Sequence, residues 1–507
     1  MTSVCVAGVL TFYLWLASLG TWTRWPHSTS WYGALASAFL HGQLSLLEEP
    51  EPALLALPDP YDPAQLARAQ YPLDFSLYAG KFYLYIGPVP ALLLAPAQYL
   101  LRAEISDAYP GFAFIFGLFI VQSLLLLKIW RGFFRDVSLW ALAGSVLVIG
   151  LAVPSAWLLV GSHWSSVAVM GGAFFFMAGF AAALSALTSE VASRPRLLLA
   201  GALWAAAVGT RITQVVSVAL LSLLVCGAII ASERRAGNAL SAMRSMLALG
   251  FPLLLGAAGL GWYNWARFGS PLETGLRYQL NPQFMARLFR PESGELFSPL
   301  YVVQNLSNYL FRPPGPHGIF PFVNLQPAWK DSVISALPLP ASYHPEWMTG
   351  LLWAAPFVVF AAWSLSPALH GSIPRPENQR IPLGWIITAL WTAFLTGFAV
   401  IMPFFWSGER YLADFVAPLY LLSAIGFWQC GRSLSGNLRR RVVFVLLAVG
   451  LIGATILVSN LLAISQNEVG FRSLNPGAWE QMVRLSGGDL RRWNPELWAQ
   501  LRAVFGL

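Results

Sequence analysis

The chain has 507 residues, 57% of them hydrophobic and 11% charged, with a mean hydropathy of +0.59 and a formal net charge of +8. Its apolar residues come in runs of about 20, the length that crosses a bilayer, which excludes a soluble catalytic domain. The 31 bases are scattered between those runs without a basic block, so the positive balance speaks for anionic lipid headgroups and against nucleic acid.

The first apolar run covers residues 4–20. It lacks the basic region and cleavage site of a signal peptide, so it is expected to remain as an anchor. A polar and interfacial stretch follows. From 22 to 83 it holds six acids (Glu48, Glu49, Glu51, Asp59, Asp62, Asp74) against three bases (Arg24, Arg68, Lys81). Lys/Arg bias would not retain such a loop in the cytoplasm, so it is placed outside. Its acids are either a solvated surface or part of a reaction centre.

Residues 84–101 are apolar, but Pro88, Pro90 and Pro96 argue against one continuous helix. A broken or re-entrant segment that returns to the outer face is expected. Further apolar runs lie near 111–129, 138–160, 164–187, 197–231, 245–265, 350–368, 384–402, 410–428 and 441–463. The run 197–231 is too long for one span and reads as two short helices joined at Gly209–Thr210–Arg211. With these two adjustments the five basic clusters fall on one side. They are Lys128/Arg131/Arg135, Arg194/Arg196, Arg234/Arg235/Arg244, Arg375/Arg380 and Arg432/Arg439–Arg441. The positive-inside rule makes that side cytoplasmic and puts a second long loop, about 266–345, outside with the first.

The fold class expected is all-α: a polytopic membrane domain over residues 1–463 with about 10–13 helices. Short surface helices are expected within 30–70. The tail 464–507, with Trp479, Trp493 and Trp498 among arginines, reads as interfacial helix.

Five blocks carry side chains suited to chemistry. Residues 74–83 hold Asp74, Tyr78, Lys81 and Tyr83. The GSHWSS block places His163 at an outer helix end, as an interfacial anchor or a catalytic group. GTRIT puts Arg211 in an apolar stretch, where an arginine either serves function or snorkels to the headgroups. YNWARFG sets Asn264 and Arg267 one turn apart, and GERYLADF groups Glu409, Arg410, Tyr411 and Asp414 at the start of a span. Cys5, Cys226 and Cys430 have the spacing of neither a zinc site nor a disulfide framework. Walker A, GxGxxG, HExxH and CxxC signatures are absent.

In this order the blocks resemble those of the GT-C superfamily, multi-span glycosyltransferases that include the protein O-mannosyltransferases and aminoarabinose transferases. The likeness is carried by Asp74–Tyr78–Gly80–Lys81–Tyr83 followed by Gly87–Pro88–Val89–Pro90, by Asn264–Pro271 and by Arg410–Phe415. It implies an inverting transfer of a sugar from a polyprenyl-phosphate donor to a saccharide, lipid or protein acceptor at the extracytoplasmic face of a bacterial inner membrane. The acid common shortly after the first span in such enzymes has no counterpart in residues 27–46. Asp74 is the first choice of base, with Asp59 and Asp62 as substitutes. Lys81, Arg211, Arg267 and Arg410 are candidates for the donor phosphate. Tyr78, Tyr83, His163, Asn264, Glu409, Tyr411 and Asp414 are expected around the same cavity. No cofactor is implied, and a divalent metal is not indicated by any close acid pair. The rival readings are a lipid or saccharide transporter, or a catalytically inactive relative.

Overall fold

The computed structural model describes residues 2–500 apart from 27, 162, 189–192, 236–237, 282–295, 330–338, 341, 367–380, 435, 488–494 and 497–498. The cluster Arg375/Arg380 and the tail residues Trp493 and Trp498 lie outside the described residues. The helices in chain order are α1 (Thr2–Ala17), α2 (Trp31–Leu40), α3 (Pro52–Leu55), α4 (Pro63–Leu66), α5 (Val89–Leu101), α6 (Ala108–Phe133), α7 (Leu139–Leu151), α8 (Ser155–Val160), α9 (Trp164–Leu187), α10 (Arg194–Thr210), α11 (Val215–Arg235) and α12 (Ala239–Phe268). They continue with α13 (Leu300–Phe311), α14 (Leu351–Ala354), α15 (Leu383–Ile401), α16 (Val416–Ser433), α17 (Leu438–Gln466), α18 (Glu468–Leu474) and α19 (Pro476–Leu485).

Among the described residues, 7 helices are long and apolar enough to cross a membrane. They are α6, α7 with α8, α9, the helix from Ile212 through α11, α12, α15 and α17. The architecture is that of a polytopic helical membrane protein. Contacts between chain-distant helix ends define two faces. On one face, Thr29 Oγ1 donates to Asp107 Oδ2 at 2.6 Å and accepts from Trp164 N at 2.8 Å. Asn467 there donates to the Val160 carbonyl at 3.1 Å, and Asn475 to that of Gly20 at 2.8 Å. On the opposite face, Lys128 Nζ donates to Ser185 Oγ and Thr188 Oγ1, and Arg432 forms an ion pair with Asp136. The helices α1, α10, α14 with its following 3-10 turn (Pro356–Leu365), and α16 run between the same two faces.

Close helix contact depends on small residues, as expected where no hydrophobic drive separates helix from lipid. At Gly201 of α10 an added Cβ would meet the Leu249 carbonyl of α12. Trp204 on the same helix is fully buried and donates to the Phe176 carbonyl at 3.0 Å.

The segment after the first loop is broken. Residues 84–88 are irregular, and α5 has 13 residues, about 20 Å, too short for the hydrocarbon core. α5 lies along α2, with Gln98 Nε2 donating to the Gly33 carbonyl at 3.1 Å and to Ser37 Oγ at 3.0 Å. Its far end returns to Asp107, on the face where it began. Gly87 backs directly onto the Gly209 carbonyl, where a Cβ would overlap, so only glycine fits. The run 197–231 is split as expected. Arg211 has an extended backbone (φ −143°, ψ 104°) between α10 and a 3-10 turn, Ile212–Gln214.

One element of the first loop has no counterpart in the sequence reading. Ser76–Tyr78 (β1) and Lys81–Tyr83 (β2) form an antiparallel hairpin whose turn residues, Ala79 and Gly80, both have positive φ. That is the turn geometry matching strand twist. Ser76 bridges to Gln279 of the second long loop, so the two loops are joined.

Candidate active site

A cavity of about 570 Å³ opens where the two long loops meet the break between α10 and α11. This is within the range of small-molecule sites. Asp74, Arg211, Asn264, Arg267, Arg410 and Tyr411 all line it, together with Glu346, Gln279, Asn281, Tyr85 and Trp164. Five separate segments, carrying Asp74, Arg211, Arg267, Glu346 and Arg410, therefore contribute charge to one space.

Asp74 sits just before the hairpin with φ 68°, a left-handed conformation that aspartate tolerates better than most residues. Its amide donates to the Leu280 carbonyl at 3.1 Å. Oδ1 accepts from Gln279 Nε2 at 2.8 Å and from Asn281 Nδ2 at 2.6 Å. Among the described residues no donor reaches Oδ2. Burial pushes the carboxyl above its ordinary range, while Asn281, the Arg410 charge and Gln279 pull it back. A carboxylate with one oxygen fixed and the other free is arranged to accept a proton.

The three guanidiniums differ in how they are compensated. Arg211 meets Asp414 through two bonds, Nε to Oδ1 at 3.1 Å and Nη2 to Oδ2 at 2.8 Å. Thr213 Oγ1 adds a bond to Asp414 Oδ1 at 2.7 Å. Gly172 of α9 leaves room for the Arg211 stem, since a Cβ there would lie 2.6 Å from Arg211 Cβ. Arg410 Nη2 bonds Glu346 Oε1 at 2.9 Å, and its charge lies over the Trp406 and Tyr411 rings. Arg267 forms no ion pair among the described residues. It is 4% exposed and bonds only neutral acceptors: the Leu84 carbonyl at 2.6 Å, Asn264 Oδ1 at 2.9 Å and the Tyr263 carbonyl at 3.3 Å. The Tyr263 ring centroid lies 3.7 Å from its guanidinium carbon. A buried cation without an ion-pair partner is costly, and an anion bound in the cavity would offset that cost.

Other sequence candidates lie elsewhere. Asp414 stands behind Arg211. Glu409 is fully buried and accepts from Thr349 N at 2.9 Å, with burial pushing its carboxyl up to about 8. Neither Glu409 nor Asp414 is among the cavity-lining residues. Lys81 is exposed at the start of β2, next to the hairpin turn, while Phe82 and Tyr83 after it are buried. Tyr78 and Tyr83 pack against Phe268 on the hairpin side. Asp59 accepts from Tyr61 N at 2.9 Å, and Asp62 caps α4 through Ala64 N at 3.0 Å. Both serve local turns and do not line the cavity. His163 caps α9 and lines a separate pocket with Thr29 and Asn467; burial and the Arg410 charge hold it down at about 4.

The sequence reading missed Glu346, Gln279 and Asn281. The two amides follow Arg267 within the loop it opens, but nothing periodic marks them. Glu346 is an isolated acid between prolines and aromatics. It reaches the site because His344–Pro345 pairs in parallel with Trp406–Ser407, next to Arg410. Asp107, also missed, does not line the cavity. Its carboxylate caps α2 from a distance, accepting from Trp31 N at 2.9 Å and Tyr32 N at 3.1 Å.

No protein-family model matches the chain, and no curated protein does. Among solved structures, the chain is similar to the Archaeoglobus fulgidus oligosaccharyltransferase in its apo form, at 12% identity over 91% of this chain, with a TM-score of 0.47. The same enzyme tethered to an acceptor peptide with an NVT sequon gives 14% identity over 92% of this chain and 55% of that one, with a TM-score of 0.45. ArnT from Cupriavidus metallidurans bound to undecaprenyl phosphate gives 12% identity, 92% of this chain and 75% of that one, with a TM-score of 0.41. The chain spans 56% of the length of the apo oligosaccharyltransferase.

Proposed function

We propose that the chain is a membrane-embedded glycosyltransferase that moves a sugar from a polyprenyl-phosphate donor to an acceptor hydroxyl at the extracytoplasmic membrane face. The observation that carries this reading is the uncompensated Arg267 guanidinium in the same cavity as the half-free carboxylate of Asp74. An anion acceptor and a base facing one space fit a phosphate leaving group and a hydroxyl nucleophile. The cavity wall is otherwise apolar where Val208, Leu260 and Val400 contribute, which suits the first isoprene units of a lipid.

Asp74 Oδ2 takes the acceptor proton as the acceptor oxygen attacks the anomeric carbon. The bond from that carbon to the phosphate oxygen breaks, and polyprenyl phosphate leaves with the electron pair. Attack opposite the leaving group inverts the anomeric centre. Arg267 stabilises the charge that develops on the phosphate; Arg211 and Arg410, already partnered by carboxylates, shape the field around it.

The sidedness is supported by the basic clusters. Lys128, Arg131, Arg135, Arg194 and Arg196 share the face of the Arg432–Asp136 pair, so the positive-inside rule makes that face cytoplasmic and the cavity face extracytoplasmic.

The test is donor turnover by the purified chain. Synthetic polyprenyl-phosphate sugars are supplied with saccharide, lipid and peptide acceptors, and released polyprenyl phosphate is measured. Asp74→Asn should lower turnover by about 10²- to 10⁴-fold while the helical signal and melting temperature hold. Asn keeps the size and tolerates the left-handed backbone. Full turnover by Asp74→Asn would overturn Asp74 as base, and absence of polyprenyl-phosphate binding by the wild type would overturn the donor class.

A further inference from the structure

The face opposite the cavity carries a second site. Along α6, Leu124, Leu127, Lys128, Arg131, Gly132 and Arg135 line a groove of about 340 Å³. Lys128 and Arg131 follow at i and i+3 on one face of α6, and Arg135, two residues past the helix end, is tied back to it by the bond from its Nε to the Arg131 carbonyl at 2.7 Å. None of the three is in an ion pair among the described residues. Arg131 and Arg135 are exposed, and Lys128 is held from α9 by Ser185 Oγ at 3.1 Å and Thr188 Oγ1 at 3.0 Å. Leu124, 60% exposed, lies one turn (about 6 Å) deeper than Lys128.

The groove is therefore graded along its length. Apolar surface lies toward the middle of the helix, and three cations lie at its end. A zwitterionic headgroup offers no net charge to balance three cations, and a soluble anion makes no use of the leucines. The geometry points to a binding site for an anionic glycerophospholipid, with its phosphate between Lys128, Arg131 and Arg135 and an acyl chain on Leu124 and Leu127. Gly132 lines the groove between the cations. The site is separate from the donor cavity and does not depend on the reading of that cavity.

Native mass spectrometry of the purified full chain tests this, with phosphatidylglycerol, phosphatidylcholine and glycerol 3-phosphate as probes. Phosphatidylglycerol should remain bound; the other two should not, and glycerol 3-phosphate should not displace it. Each cation removed should weaken phosphatidylglycerol by about 5-fold. Arg131→Gln/Arg135→Gln, both at exposed positions that do not disturb folding, should thus lose about 25-fold, and adding Lys128→Gln should deepen the loss. Arg439→Gln/Arg441→Gln removes the same charge from the exposed start of α17 and should change binding less than about 2-fold. Equal loss in that control would overturn the site in favour of diffuse attraction. Unchanged binding by the α6 variants, equal retention of phosphatidylcholine, or displacement by glycerol 3-phosphate would overturn it as well.

Discussion

Removing the Asp414 carboxylate, which stands behind the cavity wall and holds Arg211, should strongly destabilise the fold. Asp414 has a side chain 1% exposed, and Arg211 one 20% exposed. Oδ1 and Oδ2 together accept two bonds from Arg211, one from Thr213 at 2.7 Å and one from Gln214 Nε2 at 3.3 Å. Asp414→Ala leaves a guanidinium without its counter-charge and two neutral donors without their acceptor. Breaking a buried pair on one side costs about 3–5 kcal/mol. Arg211 keeps some access to the cavity, which sets the expected loss at the lower end, about 3 kcal/mol. Arg211→Ala strands the carboxylate instead, and since Asp414 is the more buried partner its loss should be at least as large. The double variant removes both charges and should recover part of the sum, giving a coupling of about 1–3 kcal/mol. Thermal unfolding of the four proteins in detergent, followed by near-ultraviolet signals from the tryptophans, reads the cycle. Additive losses in the double variant would refute the argument that these charges compensate one another. So would an Asp414→Ala protein as stable as the wild type.

Arg267→Gln should weaken polyprenyl-phosphate binding by about 10- to 100-fold, the worth of a charge-assisted bond to a buried anion, without the stability loss of Asp414→Ala, because no carboxylate is left behind; a fluorescent polyprenyl phosphate titration checks it. Glu409 predicts a pH effect on stability. Burial raises its folded-state value to about 8 from the ordinary 4.5, so between these values the folded chain holds a proton that the unfolded chain has lost. Its contribution to stability therefore falls as pH rises from about 4.5 through about 8. Melting temperature should be higher at pH 6 than at pH 8.5; Glu409→Gln, which keeps an acceptor for Thr349 N, should flatten that difference and be the more stable protein at pH 8.5, by a few kcal/mol at most. For topology, cysteines placed at Ala79 and at Leu272, the latter 89% exposed, in a background without Cys5, Cys226 and Cys430, should both react with an impermeant reagent in intact cells; labelling only after lysis would reverse the assigned sidedness.

What could be read in the sequence follows from the range of the forces involved. Apolar runs, proline breaks and the polar interruption at Arg211 are local signals, and they located the short α5 and the split between α10 and α11. Charge placement is also local, and it grouped the basic clusters on one side. The cavity depends on pairings that no local pattern encodes. Arg211 and Asp414 are separated by 203 residues and Asp74 and Asn281 by 207. The sequence placed Asp74, Arg211, Arg267 and Arg410 at a common boundary by topology alone. It had no means to see that two of the three arginines are already neutralised. Glu346 acts from a loop whose position depends on two short strand pairings, and a pair of residues in each strand leaves almost no alternation to detect. Lys81 shows the reverse error. Its motif neighbours are close in sequence, but the hairpin turn between Tyr78 and Lys81 sends that side chain to the surface.

The arrangement also explains why one carboxylate could be missing from the start of the first loop without emptying the site. Of the residues that would hold such an acid, those from 28 to 46 form α2 and its flanks. The backbone there is occupied in another way: the Asp107 carboxylate, which burial raises to about 6, caps α2 and ties the loop to α6 and α9 through Thr29. An acid in the first turn of α2 would lie beside that buried carboxylate, and two like charges in one poorly solvated place raise each other's cost. Asp74 avoids this conflict. It is carried on the second half of the loop, where amide donors from the other long loop hold one of its oxygens and Arg410 supplies the nearest charge. Two aspartates thereby divide the work: Asp107, fully engaged, anchors the loop, and Asp74, with one oxygen free, is the proposed base.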